Sequence, residues 1–109
     1  MKVSRNVTIT GSTFYQNATA IIKQLRPGNA LTLKREPELK YDKNAVAIYS
    51  PSKVGDKQLG YVPRGLAAEL APLMDSGTVV TAVRARTALE GVLLLEWDDG
   101  QPEPELEVA

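Results

Sequence analysis

The chain has 109 residues, with 13 Lys and Arg balanced by 13 Asp and Glu, and it contains neither His nor Cys. This length supports one domain with a packed core, and 43% apolar with 24% charged residues is typical of a globular protein. The absence of Cys and His excludes disulfides, thiolate catalysis, a Ser-His-Asp triad and imidazole metal ligation. We therefore expect no metal and no other cofactor.

The longest apolar stretch, residues 91–95, is too short to cross a bilayer. The first five residues lack the apolar region of a secretion signal. These two observations predict a soluble, cytoplasmic protein.

The charges are unevenly distributed along the chain. Residues 1–97 hold all 13 basic residues and 8 acidic ones, a net charge of +5, whereas residues 98–109 hold five acidic residues, two prolines and no basic residue. This composition predicts a folded domain over 1–97 and an acidic, disordered tail over 98–109. A charge of +5 permits a polyanionic partner, but it is also an ordinary solubility charge for a small domain. The separation of positive charge in residues 1–97 from negative charge in residues 98–109 raises the hypothesis that the acidic tail covers the basic face of its own domain.

The first half of the chain predicts one helix between short strands. Residues 2–10 carry apolar side chains largely on one face, which indicates a strand, and residues 30–36 alternate in the same way. Between them, Asn17 is a suitable N-cap for a helix that Pro27 and Gly28 end. Residues 44–50 are apolar on both faces, as in a central strand.

The second half predicts a strand, a second helix and a closing hairpin. A turn over 52–56 precedes a strand over 57–62, and leucines at helical spacing indicate a helix over 64–74 with Gly77 as its C′ residue. Residues 78–86 and 92–97 are two β-rich runs joined by a short turn. About six short strands with two short helices predict a mainly β fold, a small OB-like barrel. Trp97 is expected to close the core.

Several short motifs occur in a fixed order along these elements. They are Gly11-Ser12-Thr13-Phe14-Tyr15, Arg35-Glu36-Pro37, Tyr41-Asp42-Lys43-Asn44-Ala45-Val46, Leu59-Gly60-Tyr61-Val62-Pro63-Arg64, and a helix that ends in Asp75-Ser76-Gly77. Taken together over residues 5–87, these motifs resemble the HIRAN domain. That module occurs at the N-terminus of some helicase-like DNA-repair translocases and as a stand-alone small protein in bacteria and phages.

The resemblance implies an OB-like barrel that binds single-stranded DNA, in the best-understood members by its 3′ end. By this resemblance, Phe14 and Tyr41 stack on the terminal bases, and Tyr15 borders the same site. The carboxylate of Asp42 matches the position that accepts a hydrogen bond from the terminal 3′-hydroxyl, and Arg64 matches a basic position that faces the phosphates. The chemistry is consistent, since an ionised carboxylate accepts from a hydroxyl and repels a 3′-phosphate.

The chain departs from the common family pattern beside this site. Leu39 and Lys40 replace an Asn-Pro pair of many members, and Thr13 replaces a basic residue of some. Lys40 then offers a phosphate contact of its own. These departures predict modest affinity for DNA. The chain also has no phosphate-binding loop of the G-x-x-x-x-G-K-[ST] type, which argues against a nucleotide-driven motor in this sequence.

Simpler structural roles compete with each functional assignment. Consecutive aromatics at a strand end often plug a barrel, and Asp42 can serve only as the acceptor of an Asx-turn. Arg35 has Glu36 beside it as a possible ion-pair partner. Arg84 and Arg86 share a strand face and are expected to be solvated.

Two other functions remain open at this point. One is a protein-interaction module whose DNA pocket has degenerated. The other is a metal-dependent nuclease, because Glu36, Glu38 and Asp42 lie within seven residues. A single loop is a poor scaffold for two metal ions, and the sequence has no second acidic motif for the remaining ligands. We therefore expect a binding module rather than an enzyme, with a helicase or nuclease as a possible partner.

Overall fold

The computed structural model describes residues 1–51 and 55–102. Nine elements were found in these residues: strands β1 (Lys2–Thr8), β2 (Ala30–Arg35), β3 (Val46–Tyr49), β4 (Gln58–Tyr61), β5 (Thr81–Arg84) and β6 (Val92–Asp98), helices α1 (Ala18–Gln24) and α2 (Arg64–Asp75), and a short 3-10 turn over Ser12–Phe14. Most of the predicted turn over 52–56 and the tail from 103 onward lie outside the described residues. None of the described helices has the length and apolar character needed to cross a bilayer.

The six strands form one antiparallel sheet in the order β1-β6-β5-β2-β3-β4. The sheet curls into a half-barrel, and its two ends meet where Thr10 pairs with Tyr61. Two backbone hydrogen bonds of 2.9 Å, one in each direction, join these residues. The predicted first strand therefore leaves its partner β6 after Thr8, because the chain crosses to β4 at Thr10. The predicted mainly β fold with two helices is confirmed.

The core lies inside the curl and under the two helices. Alternate residues of the strands point into this core, and Trp97, which is 3% exposed, closes one end of the core as the sequence predicted. The fully buried large side chains are Val46, Ile48, Leu59, Leu70, Leu93 and Leu95. Fully burying an aliphatic side chain of this size contributes about 1.5–3 kcal/mol, so this cluster is a main source of stability.

Asn17 and Gly77 lie at helix ends as the sequence predicted, but only Gly77 caps its helix in the predicted way. Gly77 has φ +100° and donates to Met74, while Thr78 donates to Leu73, which is the hydrogen-bond pattern of a Schellman motif. Asn17 precedes α1 as predicted, but capping by its side chain was wrong. The residue adopts φ +64° and its side chain makes no capping hydrogen bond. Its left-handed backbone directs the carbonyl, not the side chain, to the helix, where it accepts from Ile21.

Two expectations about arginines were wrong. Arg35 does not pair with Glu36. Its guanidinium donates to both carboxylate oxygens of Asp75, at 2.9 and 3.1 Å, because α2 ends beside β2. Arg84 is not part of a solvated stripe with Arg86. Its side chain follows the inward alternation of β5 and is 7% exposed.

Candidate nucleic-acid interface

The loop between β2 and β3 is built from successive turns that carry the predicted binding residues. Backbone hydrogen bonds run from Leu39 to Glu36, from Asp42 to Leu39 and from Ala45 to Asp42, at 3.2–3.3 Å. A further bond from Glu36 to Ala45, at 3.0 Å, closes the base of the loop. This backbone frame gives residues 40–42 a defined position.

Arg35 anchors the same loop from below. Besides Asp75, its guanidinium donates to the carbonyl of Ala45 at 2.8 Å and to that of Lys43 at 3.0 Å. Its side chain is only 14% exposed, although the bond to Lys43 lies at the surface and the bond to Ala45 is part-buried. The two hydrogen bonds that Arg35 donates to the Asp75 carboxylate hold the pKa of Asp75 below its usual value.

Tyr41 and Asp42 lie at the tip of this loop with opposite exposures. Tyr41 is 81% exposed, and the ammonium of Lys40 lies 5.6 Å from the centre of its ring. Asp42 is 21% exposed, and its Oδ1 accepts the Asn44 N–H at 3.0 Å. The Asx-turn foreseen as a structural role is therefore present. The turn also orients the carboxylate, which has capacity for further acceptor contacts.

Arg64 comes from the start of α2 and meets the loop. Its Nε lies 3.8 Å from Asp42 Oδ2, and its Nη2 donates to the Tyr41 carbonyl at 3.2 Å. The side chain remains 79% exposed. The structure thus brings together four predicted site residues, which are Lys40, Tyr41, Asp42 and Arg64, as an exposed aromatic ring beside a carboxylate and two cations.

The two consecutive aromatics in the 3-10 turn segment have separate environments. Phe14 is 87% exposed, which is unusual for a Phe side chain. Tyr15 is half-buried against the core, with its ring 6.2 Å from that of Tyr61, and its hydroxyl accepts from Gln58 Nε2 at 3.2 Å. Burial raises the pKa of Tyr15 above its usual value. Tyr15 therefore supports the turn from which Phe14 projects.

A polar network beside the loop was not identified from the sequence. Tyr61 donates from its hydroxyl to Glu36 Oε2 at 3.1 Å and packs against Tyr15. It connects the base of the β2–β3 loop with the aromatic turn. The motif that contains Tyr61 was visible in the sequence, but the identity of its partners depends on how strands β2 and β4 are placed.

The comparisons with known proteins agree with this architecture. The family model of the HIRAN domain matches residues 2–90. The chain belongs to the HIRAN domain family. The family predicted from the ordered motifs is thus confirmed.

Two solved structures have the same fold as this HIRAN domain. A crystal structure of a protein from Lactobacillus plantarum aligns with a TM-score of 0.73 at 25% identity, covering 89% of this chain and 97% of that chain. The crystal structure of the HIRAN domain of human HLTF aligns with a TM-score of 0.65 at 23% identity, covering 88% and 74% of the two chains.

A curated relative is similar over part of the domain. This is the Fanconi-associated nuclease 1 homolog of Oryza sativa subsp. japonica, which is 34% identical over 70 residues. The match covers 64% of this chain and 7% of the rice protein. HIRAN-like sequence is thus a small part of that much longer protein.

Proposed function

We propose that this HIRAN domain is a single-stranded DNA-binding module that prefers free 3′-hydroxyl ends and works in DNA repair or processing. The observation that carries the proposal is the loop tip, where an exposed Tyr41 stands beside the oriented carboxylate of Asp42 and the exposed cation of Arg64. Stacking on Phe14 and Tyr41 suits any base, and such contacts contribute about 1–3 kcal/mol per base. Family membership supports this assignment.

The expected division of roles follows from the chemistry of each group. The Asp42 carboxylate accepts from a terminal 3′-hydroxyl, and it repels a terminal 3′-phosphate. Arg64 and Lys40 attract the backbone phosphates. Tyr15 borders the site and maintains the position of the Phe14 turn. Because the protein is proposed as a module without catalysis, a helicase or nuclease partner would supply the enzymatic step.

The alternative functions have less support in the structure. Within residues 1–51 and 55–102, no three carboxylates are grouped closely enough to hold a metal ion, so the nuclease alternative gains no site there. A protein-interaction module with a degenerate DNA pocket would also expose Phe14 and Tyr41, but the two cations beside Tyr41, Lys40 and Arg64, favour a polyanionic ligand. It becomes the preferred function if the following experiment shows no binding of DNA.

Replacing Asp42 with Asn is expected to remove the preference for a 3′-hydroxyl end. The Asn side chain retains an oxygen for the Asn44 N–H but loses the charge that repels a phosphate. We expect the wild type to bind a short labelled oligonucleotide with a 3′-hydroxyl about tenfold more tightly than the 3′-phosphate form, a difference of about 1.4 kcal/mol. Fluorescence anisotropy measures both affinities.

The matched control is Glu38→Gln, which removes the same charge from the same loop at an exposed position. This variant should keep the tenfold preference. Equal affinity of the wild type for the two ends contradicts 3′-end recognition, and so does an unchanged preference in Asp42→Asn. If neither strand binds above the level of a scrambled polyanion, single-stranded DNA is not the ligand.

The salt dependence of binding is expected to be shallow. A loop tip of this size engages about 2 to 4 phosphates, so the slope of log K against log salt should be about −1.5 to −3. The anisotropy titration repeated between low and moderate salt gives this slope. A slope near zero would count against contacts with the phosphate backbone.

A further inference from the structure

A cavity of about 420 Å³ lies on the β1-β6-β5 part of the sheet and shares no lining residue with the proposed DNA site. Asn6, Leu94 and Val83 are cross-strand neighbours there and line one wall. The loop between β5 and β6 supplies another wall, which includes Leu89. Leu89 is 69% exposed, so the cavity is bordered by an aliphatic side chain that the fold leaves in water.

Arg84 is one of the residues that line this cavity, and its guanidinium is not fully paired. The residue is 7% exposed, and its Nη1 donates to the carbonyls of Ala85 and Thr87, which also line the cavity. Its Nε is buried without a hydrogen-bond partner. In the described part of the chain, its Nη2 donates no hydrogen bond either. Buried charges are ordinarily paired, because an unpaired one incurs a large desolvation cost.

Among the described residues, none that lines the cavity is a counter-ion for this cation. None of the lining residues is Asp or Glu, and Arg86 adds a second, exposed cation to the wall. The ion pairs found in residues 1–51 and 55–102 involve neither arginine. The cavity thus combines two unpaired positive charges with the aliphatic side chains of Val83, Leu89 and Leu94.

We propose that this cavity binds a partner protein through a carboxylate side chain flanked by aliphatic residues. Arg84 and Arg86 receive the carboxylate, which supplies the missing partner of the buried guanidinium. The aliphatic neighbours of the carboxylate pack against Leu89 and Leu94. Charge complementarity selects an acidic peptide segment, and the apolar walls distinguish it from a simple inorganic anion. This role is independent of the proposed DNA-binding site.

The test is a titration of the full, isotopically labelled chain with a capped Leu-Glu-Leu tripeptide, followed by two-dimensional NMR. Capped Leu-Gln-Leu is the matched probe without the charge. We expect the Glu peptide to shift the amides of Val83, Arg86 and Leu89 and the Nε–H signal of Arg84. The Gln peptide should bind about tenfold more weakly, because a charge-assisted hydrogen bond is replaced by a neutral one.

Arg86→Gln is the variant that leaves the fold intact, since this side chain is exposed. It should weaken binding of the Glu peptide about threefold while leaving the oligonucleotide affinity unchanged. Lys2→Gln removes one positive charge at the other end of β1 and should change neither affinity. Failure of DNA binding alone would leave this proposal standing, because the two sites have separate readouts.

Four results would overturn the proposal. These are equal shifts by the two peptides, shifts unchanged by Arg86→Gln, shifts confined to the β2–β3 loop, and no shifts at all. A further arm uses the Glu105→Gln, Glu107→Gln variant of the full chain. If the Glu peptide binds only to that variant, the cavity is assigned to this chain's own C-terminal residues and not to a partner.

Discussion

Replacing Gly60 with Ala is expected to destabilise the protein by about 3 kcal/mol or more. Gly60 has φ +150°, and a Cβ there would lie 2.3 Å from the Thr10 carbonyl oxygen and 2.7 Å from Ile9 Cγ2. The first contact is with backbone, so relief requires the Thr10–Tyr61 bridge to move apart. Strained backbone and overpacking are each known to cost about 1–3 kcal/mol. Equilibrium unfolding in urea measures the loss.

Gly65→Ala is the matched control for this substitution. Gly65 lies in α2 and has open space around its Cβ position, so Ala there should leave stability unchanged or raise it by up to about 1 kcal/mol. In Gly60→Ala, we also expect faster hydrogen exchange at the Thr10 and Tyr61 amides than in the wild type. Equal unfolding midpoints for Gly60→Ala and the wild type would show that closure at Thr10–Tyr61 contributes little to stability.

Replacing Arg35 with Lys is expected to cost about 2 kcal/mol and to weaken DNA binding as well. The planar guanidinium donates to both Asp75 oxygens and to the carbonyls of Lys43 and Ala45, and an ammonium cannot reproduce this fork. Hydrogen bonds to charged groups contribute about 1.5–3 kcal/mol each, and the retained positive charge recovers part of the loss. Urea unfolding and the anisotropy titration measure the two effects.

Lys34→Arg is the control for Arg35→Lys, because residue 34 lies on the opposite face of β2 and is exposed. Its stability should lie within about 0.5 kcal/mol of the wild type. A drop in DNA affinity without a loss of stability in Arg35→Lys would mean that Arg35 contacts DNA directly. A loss of stability without a drop in affinity would mean that the loop tip does not need this anchor.

The Arg35–Asp75 pair also predicts a pH dependence. Hydrogen bonds from Arg35 lower the pKa of Asp75 below its usual value. A carboxyl group whose pKa is lower in the folded than in the unfolded state stabilises the protein at pH values above its unfolded pKa. This stabilisation is lost as the pH falls through the pKa of the folded state. We therefore expect the free energy of unfolding between about pH 4 and 2 to depend less on pH in Asp75→Asn than in the wild type. An identical acid-unfolding profile in the two proteins would contradict this linkage.

The sequence indicated candidate residues for a DNA site but not the contacts that hold them in place. The Y-D-x-N-A-V motif identified Tyr41 and Asp42, and the local Asx-turn could be predicted because its acceptor and donor are two residues apart. The partner of Arg35 could not be predicted, since Asp75 is 40 residues away in the chain whereas Glu36 is its immediate neighbour. Glu36 instead accepts from Tyr61, a contact made possible by the pairing of β2 and β4 with the same central strand, β3.

The mainly β class, the order of the strands and helices along the chain and the family could all be predicted from the amino-acid sequence, whereas the residues of the candidate DNA site remain a prediction. These properties follow from local alternation, turn residues and ordered motifs, all of which are read within a few positions. Three features became visible only in three dimensions: the closure at Thr10–Tyr61, the anchoring of the loop by Arg35 and the burial of Arg84. The closure and the Arg35–Asp75 contact join groups far apart in the chain, and the burial of Arg84 depends on how the curved sheet packs around it, so local sequence does not specify them.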